Sequence, residues 1–391
     1  MHKKIRVGVL FGGRSAEHEV SLQSAVNVIK AIDKEKYEVV PIGITKEGQW
    51  MLGNAESLLV NADNPETIQL EKSDTLVALI PDTQTSELFN LSDKKDVGKI
   101  DVIFPVLHGT YGEDGTMQGL LKLANVPFVG AGVLGSAVGM DKDVMKRLLR
   151  DAGIPVAKFL VMQKGSKGIV ILGSKATPES LKRETFRDPG HGQDDEFFTF
   201  VKQQLGLPFF VKPANLGSSV GVSKVHNKEE FSKAVNTALQ YDTKIIIEEF
   251  IKGREVECAV LGNEEKIASI PGELIISHEF YDYNAKYIDP NGAKVKIPAD
   301  LTEEVTKRIQ ELAIKTCDVL CCEGMARVDC FVTENNAVYV NEINTIPGFT
   351  NISMYPKMWE AGGVSQTELV DRLIQLAIER FEKEKKLKTF L

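Results

Sequence analysis

The chain has 391 residues, of which 43% are hydrophobic, 26% charged and 7% aromatic. That length allows about two or three domains, and the composition excludes disorder as the overall state. Lys and Arg number 47 against 55 Asp and Glu, a formal net charge of -8. This is the wrong sign for tracking nucleic acid or anionic lipid by charge alone and leaves small-molecule chemistry as the expectation.

In chain order, the first third alternates strand-sized apolar runs with helical patterns. A strand Arg6 to Phe11 precedes a helix from about Ser15 to Ile32; a strand Tyr37 to Thr45, a strand Asp101 to Leu107 and a helix from about Asp114 to Asn125 follow. Such alternation specifies an α/β unit with a largely parallel sheet. Gly48 to Lys99 is more polar and weakly periodic, with Thr75 to Ile80 as a further strand. Beyond Gly130 come a charged helix Asp141 to Ala152, a strand Pro155 to Val161, a helix near Phe197 to Leu205, and strands Phe209 to Lys212 and Val220 to Val225. Lys164 to Glu196, rich in Gly, Lys, Asp and Pro, is expected to be a mobile insertion. The last unit holds strands Lys244 to Phe250 and Glu255 to Leu261, an irregular stretch from about His278 to Pro298, a helix Thr302 to Leu320 and a hairpin Met325 to Asn344. A Lys/Glu-rich helix from about Gln366 to Lys386 is expected to cover a sheet.

No window reaches the ~20 apolar residues that a membrane span needs. The apolar run Val7 to Phe11, after a basic start, is too short for a signal-sequence core, so a cytoplasmic protein is expected. Five cysteines (258, 317, 321, 322, 330) are an odd number without zinc spacing, which predicts reduced, buried thiols.

Two glycine-rich signals compete for a nucleotide. Gly130-Ala-Gly132-Val-Leu-Gly135 matches G-x-G-x-x-G, but no acidic residue at the end of a second strand accompanies it to hold a ribose. A dehydrogenase is therefore disfavoured, and no P-loop motif occurs. In Phe209-Phe-Val-Lys212-Pro-Ala-Asn-Leu-Gly217-Ser218-Ser219-Val-Gly221, a strand delivers a lysine to a turn that can offer N–H groups and hydroxyls to phosphate. An ordinary Gly/Ser hairpin turn would read the same way.

The hairpin is more specific. If Asn335-Asn336 is a two-residue turn, paired residue numbers sum to 671, so Asp329 faces Glu342 and Arg327 faces Asn344. Period-two alternation puts all four on one face. Opposed carboxylates call for a cation, and hard oxygen donors suit Mg²⁺ or Mn²⁺; a solvent-facing polar ladder is the alternative.

With these residues in hand, the chain resembles the D-alanine:D-alanine ligases of the ATP-grasp superfamily over nearly its whole length. The resemblance is carried by Gly12-Gly13-Arg-Ser15-Ala-Glu17-His-Glu-Val-Ser21, His108-Gly-Thr-Tyr-Gly-Glu113-Asp-Gly115, Met140-Asp-Lys142 and the Lys212 to Gly221 loop. It continues through Tyr281-Asp-Tyr-Asn-Ala-Lys286-Tyr287, Arg327-Val-Asp329 and Asn341-Glu342-Ile-Asn344-Thr-Ile-Pro-Gly348-Phe-Thr. It implies an N-terminal parallel-sheet α/β domain (residues 1–129) followed by a two-domain ATP-grasp fold. The central domain (130–247) would contain the insertion, and the C-terminal domain (248–391) the metal site and a lid.

The resemblance also assigns roles. Lys142, Lys212, Ser219, Lys286 and Asn341 would serve ATP and its phosphates, Glu248, Phe250 and Ile251 the adenine, and Glu255 the ribose. Asp329, Glu342 and Asn344 match the ligands of two Mg²⁺ or Mn²⁺ ions. Glu17, oriented by Ser218 and Tyr287, would hold the ammonium of the first D-alanine, with His108 in the same pocket. Arg327 and the Gly348 N–H would stabilise an oxyanion, and Ser353 and Met354 would approach the second carboxylate. The implied reaction joins two D-alanines through an acyl phosphate, behind a lid formed by Tyr281 to Pro298 and Gly217 to Gly221. Because Tyr287 is present, the dipeptide is expected rather than D-alanyl-D-lactate. A non-catalytic nucleotide sensor is a different-class alternative, opposed by the full set of site residues. The family also implies a homodimer.

Overall fold

Past Arg6, every residue of the strand Ile5–Gly12 is buried, as a central parallel strand requires. The computed structural model of the protein describes residues 3–64, 66–81, 87–91, 93, 96–165, 168–172, 184–186, 194–276 and 293–388. Ile5–Gly12 pairs in parallel with Tyr37–Ile44 and Val102–Val106, while Trp50–Leu52 closes one edge antiparallel to Tyr37–Ile44. The polar stretch between contributes Val77–Leu79 to a separate three-stranded sheet.

Two antiparallel six-stranded sheets follow. The first runs Glu184–Phe186, Gly168–Leu172, Phe159–Gly165, Lys244–Glu249, Phe209–Pro213, Ser223–Val225. The main path of the second runs Ala293–Lys296, Gly272–Ile276, Gly253–Gly262, Gly324–Thr333, Val338–Asn344, with Ile267–Ala268 on the long strand Gly253–Gly262.

Several expectations change here. The segment Lys164 to Glu196 is not wholly irregular, because its described residues extend the first antiparallel sheet by two strands. The stretch ending at Pro298 contains an edge strand, Ala293–Lys296, whose lysines suit a sheet edge. The strand expected at Pro155 begins only at Phe159, because Pro155 and Val156 pair instead with Val340 of the hairpin. Helix Val133–Met140 was unforeseen, and it disposes of the G-x-G-x-x-G motif. A Cβ at Gly135 would come 2.6 Å from the Cys321 carbonyl oxygen, so this glycine serves helix packing. All five thiols are free, and four are buried; Cys321, at φ 54° in the turn that Gly135 touches, is exposed.

Packing crosses the sequence boundaries. Met145 and Leu149 of helix Lys142–Asp151 share a core with Val256, Val328 and Val340, so this helix lies on the second antiparallel sheet. The C-terminal helix Gln366–Glu384 buries Leu369, Val370, Leu373, Ile374 and Ala377, a 3.6-residue stripe, in the core that also holds Val7, Val9 and Phe104. Its buried Arg380 donates to the carbonyls of Phe128 and Gly130. Among the described residues, no helix is long and apolar enough to cross a membrane.

Candidate active site

The hairpin of strands Gly324–Thr333 and Val338–Asn344 pairs Arg327 with Asn344 and Asp329 with Glu342, as the arithmetic required. The route to that register is different. The Thr333 N–H bonds the Ala337 carbonyl and Val332 pairs with Val338, so the loop is the three residues Glu334, Asn335 and Asn336, with Asn336 at φ 63°. This is a three-residue hairpin loop closed by a left-handed residue. Near the turn the pair sum is therefore one lower than expected. A bulge opposite Asp329 and Cys330 inserts Asn341 and restores the register. Without it, Asn341 would face Asp329, and Glu342 would point to the other face.

On the functional face, Arg327 forks Asp329 with bonds of 2.7 and 2.8 Å, and its Nε lies 2.9 Å from a Glu257 oxygen. The Asn344 amide donates to Asp329 at 3.0 Å. Glu257, Asp329 and Glu342 thus sit side by side on three neighbouring strands. Cross-strand carboxylates about 5 Å apart repel, and Arg327 relieves two of them. The third, Glu342, has the Lys142 ammonium 3.3 Å away. Two carboxylates and an amide oxygen on one face form a hard-oxygen donor set that fits a divalent cation of the Mg²⁺ type.

Lys142 opens its helix, where Asp141 caps the N–H groups of Asp143 and Val144. Besides Glu342, its ammonium bonds the Leu216 carbonyl at 2.9 Å, which ties the helix to the Lys212 loop. Lys212 projects from Phe209–Pro213 onto the buried carboxylate of Glu248. Burial pulls the Lys212 pKa down, but Glu248, together with Glu342 and Glu255, outweighs it, and the net displacement is upward. Burial pushes Glu248 up, yet Lys146 and Lys212 hold it below the usual carboxylate value.

The loop past Lys212 is strained. Ser218 and Ser219 have φ values of 52° and 58°, a left-handed conformation costing about 1 kcal/mol or more for each non-glycine residue. The Ser218 hydroxyl donates to Glu17, bringing this loop against the start of helix His18–Ala31. That helix starts later than expected, because Ser15 forms a turn in which its hydroxyl accepts the Glu17 N–H at 3.1 Å. Gly109, at φ 72°, lets the Glu17 carboxylate approach; a Cβ there would collide with it. Behind Glu17, burial first and then the Glu17 charge push Glu113 up to about 8.

His108 is only 5% exposed, and both ring nitrogens are engaged: Nδ1 lies 3.1 Å from the Ile346 carbonyl, and Nε2 3.0 Å from Ser24 Oγ. The carbonyl can only accept, so Nδ1 carries the proton and Ser24 donates to Nε2. The Phe349 N–H completes the chain by donating to Ser24. Burial above all, with nearby Arg327 acting the same way and the Ile346 carbonyl opposing it, lowers the His108 pKa from 6.5 to about 4. The fold therefore accepts the neutral ring. Stability is fully present above pH 6.5 and is lost as pH falls towards about 4, on the order of 3 kcal/mol in all. Urea denaturation of wild type and His108→Gln at pH 7 and pH 4.5 checks this: the variant should lose less stability, and identical losses would contradict it.

The remaining expected residues spread around this centre. Glu255 lies on strand Gly253–Gly262, and Phe250 and Ile251 follow strand Lys244–Glu249, with Lys224 4.7 Å above the Phe250 ring. Ser353 precedes helix Met354–Ala361 without capping it, since its hydroxyl bonds Thr350 instead. A Cβ on Gly348 would come 2.8 Å from that hydroxyl, whereas the Met354 side chain is buried in the core. Tyr287 and Lys286 lie outside the described residues, as does the adjoining part of the expected lid. Sequence reasoning missed Lys146 and Glu257, and gave Glu113, although part of a quoted motif, no role. The one available signal for Lys146 was its spacing, one helical turn after Lys142.

Family profiles described as D-ala D-ala ligase N-terminus and D-ala D-ala ligase C-terminus match residues 6–131 and 180–375. A D-alanine–D-alanine ligase of Shouchella clausii is 52% identical over 386 residues, 99% of this chain and 98% of its own. D-alanine–D-alanine ligase A of Salmonella typhimurium is 50% identical over 386 residues, 99% of each chain. Among solved structures, the D-alanine-D-alanine ligase from Coxiella burnetii superposes with a TM-score of 0.77 at 39% identity, covering 98% of this chain and 96% of that one. VanG D-Ala:D-Ser ligase from Enterococcus faecalis superposes with a TM-score of 0.78 at 36% identity, covering 96% and 100%.

Proposed function

The chain belongs to the D-alanine–D-alanine ligase family, and from that premise we propose how its residues divide the work. The protein joins two D-alanine molecules, the step that supplies the dipeptide of peptidoglycan precursors. The family uses ATP and a divalent metal. The observation that carries the reading of the site is the face shared by Arg327, Asp329, Glu342 and Asn344, with Lys142 reaching Glu342 from a separate helix.

Lys142 and Lys212 receive the ATP phosphates, assisted by the loop N–H groups around Ser218 and Ser219. Adenine binds along Glu248 to Ile251 through main-chain groups, and Glu255 accepts from the ribose. Lys286 and Asn341 complete the nucleotide's surroundings. Asp329, Glu342 and Asn344 hold Mg²⁺ or Mn²⁺, which when bound neutralises phosphate charge.

Glu17 takes the ammonium of the first D-alanine, oriented by the Ser218 hydroxyl and by Tyr287, and His108 braces the pocket wall. A carboxylate oxygen of this D-alanine attacks the γ-phosphorus, the bond to the bridging oxygen breaks, and ADP and an acyl phosphate result. The amine of the second D-alanine adds to the activated carbonyl. Arg327 and the Gly348 N–H stabilise the oxyanion, phosphate then leaves, and the amide forms. The second carboxylate binds at the start of helix Met354–Ala361. The Ser353 hydroxyl leaves the leading N–H groups uncapped there, and Met354 contributes its main chain only.

In this reading the parallel-sheet unit, residues 1–129, presents Glu17 and His108, and the units 130–247 and 248–391 clamp ATP. The family further supports a cytoplasmic homodimer. The test is a substrate panel in which phosphate release and product masses are followed with D-alanine, D-alanine plus D-lactate, D-alanine plus D-serine, and L-alanine. D-alanyl-D-alanine should dominate and L-alanine should give nothing. Exclusive formation of a depsipeptide, or of the D-serine dipeptide, would overturn the choice of second substrate.

A further inference from the structure

Lys146 is fully buried, an unusual state for a lysine. It projects one turn beyond Lys142 on the same helix and makes two contacts. Its ammonium pairs with one oxygen of Glu248, whose other oxygen pairs with Lys212. It also donates to the main-chain carbonyl of Asn341 at 3.0 Å. Asn341 is the extra residue of the bulge that turns Glu342 towards Asp329. One side chain thus touches the partner of a lysine in the first antiparallel sheet and the register-setting residue of the hairpin in the second.

From this geometry we propose that Lys146 is a positioning residue, holding Lys212 through Glu248 and the Glu342 register through Asn341. Glu248 alone would be a single carboxylate beside Lys212. Shared between the two lysines, it is fixed at a defined point with Lys212 against it. The bulge is a weak place in the ladder, since an inserted residue leaves peptide groups outside the regular pairing. A charged donor on the Asn341 carbonyl stabilises the bulged register against the slip that would turn Glu342 away. The same contact links the two sheets, so the phosphate lysine and the metal carboxylate keep a common frame.

This inference rests on reading Lys212 and Glu342 as phosphate and metal residues. It is tested on the full-length protein with Lys146→Met, which conserves length and removes the charge, beside a Lys212→Met control. ADP affinity is measured by calorimetry, and Mn²⁺ affinity of the ADP complex by electron paramagnetic resonance. Lys146→Met should weaken Mn²⁺ binding about tenfold or more, in the range of lost outer-shell support for a metal site. ADP should weaken as well, while the KM for D-alanine stays within about twofold. If Lys146→Met does not fold, Lys146→Gln, which removes the charge facing Glu248 but keeps a donor for Asn341, takes the same measurements: ADP should weaken as for Lys146→Met, and Mn²⁺ binding should weaken less. Unchanged Mn²⁺ and ADP affinities overturn the proposal, as does a uniform loss that includes the D-alanine KM. If Lys212→Met weakens ADP and the Lys146 variant does not, only the positioning role falls. If Lys212→Met leaves ADP affinity intact, the nucleotide reading of the site falls with it.

Discussion

Combining Asp329→Asn with Glu342→Gln should reduce ADP formation by about a thousandfold or more, with D-alanine binding largely retained. Metal stabilisation of phosphoryl transfer amounts to several kcal/mol, and each 1.36 kcal/mol is about tenfold in rate. Both replacements are isosteric, so the hairpin and its bulge should persist, and Asn344 can still bond residue 329. What disappears is the anionic pair facing Lys142 and Arg327. A coupled assay for ADP measures the loss, and Mn²⁺ titration should show no tight site. A variant that kept more than about a tenth of wild-type turnover would contradict the assignment.

Arg327→Met should lower kcat by about 10²- to 10³-fold with a much smaller change in the KM for ATP, as expected when a preorganised oxyanion donor is lost. The structure adds a second consequence. Arg327 is the cation between Glu257 and Asp329, so its removal leaves three carboxylates side by side on strands Gly253–Gly262, Gly324–Thr333 and Val338–Asn344. The variant should therefore melt at a lower temperature than wild type, and added Mg²⁺ should raise its Tm by more than it raises that of wild type. An unchanged kcat would remove Arg327 from the chemistry, and equal Mg²⁺ responses would remove it from the charge balance.

The hairpin shows how far sequence reasoning reached. Strand alternation and a turn of Asn residues placed Arg327, Asp329, Glu342 and Asn344 on one face, and that face exists. The underlying turn was nevertheless different. A three-residue loop shifted the register by one, and the bulge at Asn341 shifted it back. Nothing local in Val338 to Asn344 announces a bulge; Lys146, almost 200 positions earlier, stabilises it. The helix Lys142–Asp151 makes the same point. Its pattern was legible to within a residue at each end, because caps and a 3.6-residue period are local. Its docking on the second antiparallel sheet was not, since an apolar stripe does not name the surface that will cover it.

The sequence by itself determined the α/β character of the first third, the longer strands and helices, and the shared face of Arg327, Asp329, Glu342 and Asn344. Those depend on periodicity and on turn residues. Tertiary structure alone decided which charges are paired. Glu248 sits between Lys146 and Lys212, Glu257 joins Arg327 and Asp329, and His108 is locked neutral between Ser24 and Ile346. The physical reason is that the protonation and orientation of a buried group follow from desolvation and from its nearest partners, and those partners are supplied by packing across the chain.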